Sequence, residues 1–297
     1  MAEYRKPEFI VAVSAEPEDV LPGDTMTMTV QADYYAGGSL RHADVAWTLL
    51  SSPFTFIPSD EYAAFNFMDY EEDRGYYYRD YESYGAEYIA DGTTQTDENG
   101  RVVITLPADL GSAKQSQQLT FEAVVTDFTG TMVAGRDTLV VHRSAVYPGV
   151  RSKEYVGQVG KEQTFEIVAL DWDSQPIPNQ VVNVDVVERR WYSVQEQDAS
   201  GRLTWSSTVQ EIPVTSFKEL RLDSKGYGQV TFIPPVGGVY RIKVSAADKR
   251  GNLGKTSTFI WVAGEAYIPW RQSNDRGMTL VSDRKRYEPG EMAEILI

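Results

Sequence analysis

The feature that most constrains the fold is an internal repeat of domain length. The sequence contains three related segments, EPEDVLPGDTMTMTV (16–30), EYVGQVGKEQTFEIV (154–168) and RKRYEPGEMAEILI (284–297). Each has a turn glycine, then a polar residue, then alternating apolar and polar residues, which predicts a turn followed by a half-buried strand. These glycines, Gly23, Gly160 and Gly290, recur at roughly 130 residues, a spacing that corresponds to a whole domain.

A second motif, Asp-x-x-Gly, recurs in the same order within each repeat. Asp97 and Asp223 each precede a strand that ends at proline, and Asp127 and Asp248 each lie between the last two strands. In such turns the aspartate bonds to its own backbone and the glycine adopts a positive φ. Short alternating strands without helical periodicity predict an all-β fold of tandem antiparallel β-sandwiches, with about seven strands each.

The repeat predicts the domain organisation as well. We expect an N-terminal linker at 1–8, a first sandwich at 9–143, a second at 144–265, and a linker with the first strands of a truncated third sandwich at 266–297. Each complete sandwich carries an insertion at the same topological point. The first insertion (51–96) is rich in tyrosine and acidic residues, and the second (188–222) predicts an extended hairpin. Because RYEPGEMAEILI ends within a strand pattern, we expect a piece of a longer protein.

Composition excludes several functions. The formal net charge of −15 argues against nucleic acid as a partner, because phosphates require Lys and Arg. The chain contains no cysteine, so it has no disulfide, thiol nucleophile or cysteine-derived thioester of its own. Its two histidines, His42 and His142, are far apart in sequence, which disfavours a histidine-based metal or acid–base site. No apolar run reaches membrane-spanning length, so we expect no membrane contact.

Three stretches resemble the macroglobulin-like domains of the bacterial alpha-2-macroglobulin family. They are VLPGDTMTMTVQADYYAGGSLRHADVAWTL (20–49), LDSKGYGQVTFIPPVGGVYRIKVSAADKRGNLGKTSTFIWVAG (222–264) and LVSDRKRYEPGEMAEILI (280–297). The resemblance implies macroglobulin-like, immunoglobulin-like sandwiches in an extracytoplasmic protein that traps endopeptidases. In that family a peptidase cleaves a bait segment and the molecule collapses around it.

The same resemblance implies partners and a limited role for this chain. The partners would be endopeptidases, bound by the full-length parent, and neighbouring macroglobulin-like domains of the same protein. The family thioester requires Cys before Glu-Gln, whereas GKEQ (160–163) has Lys161 in that place. No bait segment is identifiable. We therefore expect a structural segment of the inhibitor, with no catalytic group and no cofactor.

The stretch DYEEDRGYYYRDYESY (69–84) is the candidate interaction surface, because tyrosine is favoured at interfaces. The candidate residues are Tyr70, Tyr76, Tyr77, Tyr78, Tyr81 and Tyr84. In the competing interpretation, the acids face water while the loop packs on the sheet through Tyr62, Phe65, Phe67 and Tyr88. The alternative function is a cell-surface adhesin or carbohydrate-binding array of immunoglobulin-like domains that uses this loop.

Two groups of acids raise the question of a metal or of catalysis. Asp171 and Asp173 in DWDSQP resemble part of a calcium site, but such a site needs six to eight oxygen ligands. Asp-Ser before Pro is ordinary turn chemistry, so we expect a turn here. The carboxylates of Asp69, Glu71, Glu72 and Asp73 resemble a glycosidase pair, but they lack a rigid cleft that would fix their separation. The sequence therefore predicts no metal site and no enzyme activity.

Overall fold

The computed structural model describes residues 8–69, 86–197 and 203–264, with short pieces at 281–282, 287–288, 290–292 and 295–296. These residues form β-strands and one short 3-10 helix, Asp60–Tyr62. In this part of the chain no helix is long and apolar enough to cross a membrane. The described chain divides into two compact units. The first runs to Thr55 and again from 86 to Ala145, and the second comprises 56–69 and the chain from Val146 onwards.

The first unit is a sandwich of a three-stranded and a five-stranded sheet. Its strands are β1 (Phe9–Glu16), β2 (Asp19–Val20), β3 (Thr25–Tyr34), β4 (Asp44–Pro53), β5 (Glu87–Gln95), β6 (Arg101–Pro107), β7 (Gln117–Thr126) and β8 (Met132–Val141). The sheet orders are β1-β3-β6 and β2-β8-β7-β4-β5. Alternate residues of β3, such as Met26 and Met28, meet Phe121 and Val125 of β7 in the core between the sheets.

The second unit repeats this design. Its strands are β9 (Tyr147–Ser152), β10 (Val156–Gln158), β11 (Gln163–Leu170), β12 (Val181–Gln197), β13 (Leu203–Arg221), β14 (Tyr227–Phe232), β15 (Gly238–Ala247) and β16 (Leu253–Ala263). The sheet orders are β14-β11-β9 and β10-β16-β15-β12-β13. Its core lies between the sheets and includes Phe165 and Ile167 of β11 with Tyr240 and Ile242 of β15.

The two units correspond strand for strand, so the tandem sandwich fold predicted from the repeat is confirmed. One detail differs from the prediction. The short strands β2 and β10 pair parallel to β8 and β16, which gives eight strands in each described sandwich. Segments of two or three residues are too short to produce a sequence period, so the pattern did not reveal them.

The turn motifs adopt the predicted geometry. Gly23 and Gly160 have φ of 90° and 72° just before β3 and β11. In the first Asp-x-x-Gly turn, Asp97 Oδ1 accepts hydrogen bonds from the backbone N–H groups of Asn99 and Arg101, and Gly100 has a φ of 72°. The other three turns, at Asp127, Asp223 and Asp248, repeat these hydrogen bonds.

The second insertion forms the predicted extended hairpin. Strands β12 and β13 remain paired from Val181↔Arg221 out to Gln197↔Leu203. In the C-terminal region β17 (Val281–Ser282) pairs antiparallel with β18 (Ile295–Leu296), and Gly290 between them has a φ of 97°. The remaining residues predicted for a third sandwich lie outside the described ranges, so that sandwich stays a prediction.

Candidate functional site: a strap docked on the second sandwich

The six tyrosines of the candidate interaction surface lie outside the described residues, so their role stays a prediction. They are Tyr70, Tyr76, Tyr77, Tyr78, Tyr81 and Tyr84. The acids Glu71, Glu72 and Asp73 lie outside them as well. Asp69, at the start of the same stretch, is described and has a defined place.

The first half of the tyrosine-rich insertion belongs to the second unit. The whole insertion 51–96 was predicted to belong to the first sandwich, whereas its residues 56–69 group with the second unit. We call residues 56–69 the strap. Tyr62, Phe65 and Phe67 are buried in it, as the packing interpretation expects, although their partners are on the second sandwich. Tyr88, in contrast, lies on β5 and is 58% exposed.

Aromatic side chains dock the first part of the strap on the outer surface of the β14-β11-β9 sheet. Phe56 stacks on Tyr147, with ring centroids 4.2 Å apart, and meets Phe67 edge to face at 5.2 Å. Phe67 lies directly over Gly149, where a Cβ atom would come within 2.6 Å of the Phe67 ring. Val168 is fully buried beside this contact. The glycine at 149 therefore makes room for the strap.

A second aromatic contact lies around Tyr227 of β14. Tyr62 and Phe65 pack against its ring at centroid distances of 6.2 and 6.0 Å. The Arg151 guanidinium lies 4.6 Å from the centre of the Phe65 ring, in cation–π contact. Burial, followed by the neighbouring Tyr62 and the charge of Glu61, raises the pKa of Tyr227 to about 12. The Tyr227 hydroxyl is therefore held in its neutral form.

Asn66 fastens the strap to the edges of both sheets. Its backbone exchanges hydrogen bonds with Val150 of β9, at 2.9 and 3.0 Å. Its side-chain Nδ2 lies 2.7 Å from the Ser257 carbonyl and 2.6 Å from the Met68 carbonyl. Thr256 Oγ1 donates back to the Asn66 carbonyl at 2.9 Å. Thr256 and Ser257 of β16 are fully buried, so these polar groups are paired within the protein.

The strap ends in a buried ion pair on the five-stranded sheet. Asp69 accepts hydrogen bonds from Arg241 Nη2 and from Ser257 Oγ, the latter at 2.9 Å. Arg241 also donates to Glu211 at 2.8 Å, and Lys243 donates to the other oxygen of Glu211 at 2.9 Å. Burial opposes ionisation of Glu211, but the hydrogen bonds from Lys243 and Arg241 lower its pKa overall. The negative charges of Asp69 and Glu211 thus balance a buried guanidinium.

The strap is an added layer. None of its aromatic residues belongs to the core cluster between the two sheets, which is built from β9 and β11–β16 with flanking residues such as Val146 and Leu222. The strap therefore docks like a bound peptide on the sandwich, with ring contacts from Phe56 to Phe67 and polar anchors at Asn66 and Asp69. Sequence reasoning missed Asn66 and Arg241, because an isolated Asn and an Arg within a strand carry no recognisable motif.

The remaining candidate residues take part in ordinary structural contacts. His142 is buried, with Nε2 2.6 Å from Asp19 and its ring against Phe54. His42 is exposed in a turn, with a φ of 53°, and pairs with Glu98 at 3.0 Å.

Asp171, which was compared with a calcium ligand in the sequence, forms a turn. Its Oδ1 accepts from the backbone N–H groups of Asp173 and Gln175, and Ser174 occupies the left-handed position with a φ of 62°. No cluster of three or more His, Asp or Glu suitable for a metal occurs within the described ranges.

Comparison with known proteins identifies proteins that are similar to this chain. Residues 149–263 match the family of bacterial macroglobulin domain 6. The whole chain aligns with an alpha-2-macroglobulin homolog of Nostoc sp., at 23% identity over 305 residues. It covers 15% of that relative, so the chain spans about a seventh of the relative's length.

Solved structures of bacterial alpha-2-macroglobulins share the fold. Escherichia coli alpha-2-macroglobulin in its native conformation superposes with a TM-score of 0.58 at 16% identity, over 99% of this chain and 18% of that one. The Salmonella protein reacted with methylamine gives a TM-score of 0.57 at 15% identity, with the same coverage. The resemblance inferred from the sequence is therefore confirmed: residues 149–263 match the family of bacterial macroglobulin domain 6, and the chain is similar along its whole length to bacterial alpha-2-macroglobulins.

Proposed function

We propose that this chain is a structural, interdomain segment of a bacterial alpha-2-macroglobulin-like inhibitor of endopeptidases. In this proposal the parent protein is extracytoplasmic and traps peptidases of broad specificity. The segment contributes no catalytic group and no cofactor. Its partners are neighbouring macroglobulin-like domains, and it meets peptidases only as part of the parent protein.

The observation that carries the proposal is likeness along the whole chain, rather than in one domain. The similarity to E. coli alpha-2-macroglobulin extends over 99% of the chain, and both sandwiches share one strand order. The similar solved structures include the E. coli protein activated by trypsin and the E. coli protein activated by porcine elastase. A trap that changes shape on cleavage needs domains that transmit force, and β-sandwiches with closely packed cores suit that role.

The strap supports a mechanical role for the segment. The chain leaves the first unit after Thr55, binds along the second unit, and re-enters the first before β5. It then passes to the second unit again after Ala145. The chain therefore crosses between the two units three times. Such crossings suit a segment whose role in the parent protein is structural.

The decisive experiment uses the full-length protein of which this chain is a part. The protein is incubated with a panel of endopeptidases, and cleavage of a large protein substrate is compared with cleavage of a small peptide. Trapping predicts that the large substrate is protected while the peptide is still cut, since only small molecules reach an enclosed peptidase. Equal cleavage of both substrates, with and without the protein, would contradict the proposal.

A matched pair of variants tests whether this segment matters to trapping. Asn66→Ala removes the central anchor of the strap, and Ile57→Ser alters a strap residue that is 82% exposed. We expect the first variant to protect less of the large substrate and the second to behave as wild type. If both variants trap normally, the strap has no part in the trapping movement.

A further inference from the structure

The two five-stranded sheets end in corresponding edge strands that differ in how they are protected. Strand β13 has two register shifts against β12, contains Pro213, and has Glu219 at a positive φ of 52°. Bulges and proline are common devices against unwanted strand pairing. Strand β5 has a register shift opposite Leu49 and Leu50, after which residues 90–95 pair regularly with 44–49 of β4. This part of β5 has no bulge and no proline.

One side of β5 is unpaired among the strands that the structure describes. Thr96 donates its backbone N–H to the Ala43 carbonyl, so it faces β4. Because hydrogen bonding alternates along an antiparallel pair, Asp91, Thr93 and Gln95 direct their N–H and C=O groups away from β4. Among the strands that the structure describes, none pairs with β5 on that side.

A surface depression accompanies this edge. It has a volume of about 570 Å³ and is lined by residues of β4, β5 and β7, among them Asp44, Ala46, Thr93, Gln95 and Thr126. Strand addition draws affinity from backbone hydrogen bonds and specificity from pockets that accept alternate side chains. In a strand added to β5, every second side chain would lie on the same face of the sheet as this depression.

The charged residues along this edge of the sheet indicate which kind of strand would bind to β5. Glu87, Asp91 and Asp44 are all exposed along this edge, and none has an ion pair with a cation in the described part of the chain. Gln95 donates to one oxygen of Asp44 at 2.9 Å, and Tyr88 donates to Asp91. An added strand with Lys or Arg would complement these carboxylates. A second copy of this chain suits the edge less well, since its net charge is −15.

We propose that residues 90–95 of β5 form a strand-addition site for an extended, lysine- or arginine-bearing segment of a partner protein. The partner backbone pairs with Asp91, Thr93 and Gln95, and its alternate side chains enter the depression beside Asp44. This site is separate from the strap and does not depend on the proposed role in peptidase trapping.

The test measures binding of a synthetic peptide to the whole chain. The probe is an eight-residue peptide of alternating Lys and Thr, capped at both ends, and the reference is its Glu–Thr counterpart. We expect saturable binding of the Lys–Thr peptide, at least tenfold tighter than the reference and weakened by salt. NMR shift changes should centre on the amides of Asp91, Thr93 and Gln95.

The variant Thr93→Pro removes one outward N–H without touching the ladder to β4, because proline is tolerated at an edge when its nitrogen faces outwards. We expect it to weaken peptide binding at least tenfold, whereas Thr93→Val, which keeps the N–H, retains binding within about threefold. If Thr93→Pro does not fold, two peptides N-methylated at either the Lys or the Thr positions replace it. Strand addition predicts that only one of the two loses binding, because alternate residues face β5.

Several results would overturn the proposal. These are an absence of saturable binding up to about 1 mM peptide, equal binding of the acidic peptide, or equal loss with both N-methylated peptides. Unchanged binding by a folded Thr93→Pro variant would do the same. Dimerisation of the chain that this variant abolishes would show that a second copy occupies the edge instead of a basic partner.

Discussion

At the scale of single residues, aspartate side chains hold the turns that connect the strands. Asp97 and Asp223 each accept two hydrogen bonds from their own turn through Oδ1. Backbone N–H groups lower both pKa values, first those of Arg101 and Tyr227, then those of Asn99 and Lys225. The ionised form is therefore the one that the folded turns favour.

These turns predict an acid-sensitive part of the stability. A lowered pKa contributes stability that is present above the ordinary value of 3.8 and is lost as pH falls through the folded value. The double variant Asp97→Asn, Asp223→Asn keeps an acceptor oxygen at each turn but removes the charge. We expect urea midpoints of the wild type to fall more steeply below about pH 4 than those of the variant. Parallel pH profiles would contradict this account.

Tyr227 predicts the opposite dependence at alkaline pH. Its pKa is raised from 10.0 to about 12, mainly by burial under the strap. A raised pKa contributes stability that is present below the unfolded value and is lost as pH rises through the folded one. Tyr227→Phe keeps the ring contacts with Tyr62 and Phe65 but cannot ionise. We expect its urea midpoint to change less than that of the wild type between pH 10 and 12, and an identical alkaline slope would contradict the assignment.

At the scale of elements, the strap shows how a loop can be held by few contacts. Rings cover the outer sheet surface at Gly149 and Tyr227, and Asn66 and Asp69 supply the polar anchors. Because the strap lies outside the core cluster, it can open locally while the sandwich stays folded. Docking of the strap therefore adds to the stability of the second unit, although the core between its sheets does not include the strap.

Asn66→Ala is expected to loosen the strap alone. It removes the Nδ2 hydrogen bonds to the Met68 and Ser257 carbonyls, a loss of about 1–3 kcal/mol in strap docking. Hydrogen exchange provides the measurement, since the amides of Val150 and Ser257 donate to strap carbonyls. Both amides should exchange faster, whereas core amides of β11 should be unaffected. Ile57→Ser is the control and should change neither, and global loss of protection would contradict local opening.

At the scale of the whole molecule, the sequence predicted the structure wherever a motif is short and continuous along the chain. Gly23, Gly160 and the four Asp-x-x-Gly turns predicted the β-sandwiches, because each motif fixes its own backbone geometry. The turn at Asp171 lacks the glycine of the others, because Ser174 occupies that position. That single replacement made Asp171 and Asp173 resemble metal ligands, although Asp171 binds its own turn.

Long-range docking was beyond the reach of the sequence. The aromatic residues Tyr62, Phe65 and Phe67 indicated burial, but nothing in their pattern specifies which sheet buries them. The partners Gly149, Tyr227 and Arg241 lie far along the chain and carry no signature of their own. Periodicity reports which face of an element is apolar, whereas the identity of its partner depends on tertiary packing.

Replacing the strap should therefore destabilise one unit and spare the other. In the whole chain, residues 56–69 are exchanged for a glycine- and serine-rich sequence of equal length, which keeps the connection but removes the rings and anchors. The second unit loses a packed layer and leaves Arg241 without Asp69, so its unfolding should shift to lower urea concentration. The first unit contains none of these residues and should unfold as in the wild type. Hydrogen exchange separates the two, with amides of β7 reporting on the first unit and amides of β9 and β16 on the second. Equal loss of protection in both units would mean that the strap stabilises the first sandwich too, and no loss in either would mean that the docked strap is energetically neutral.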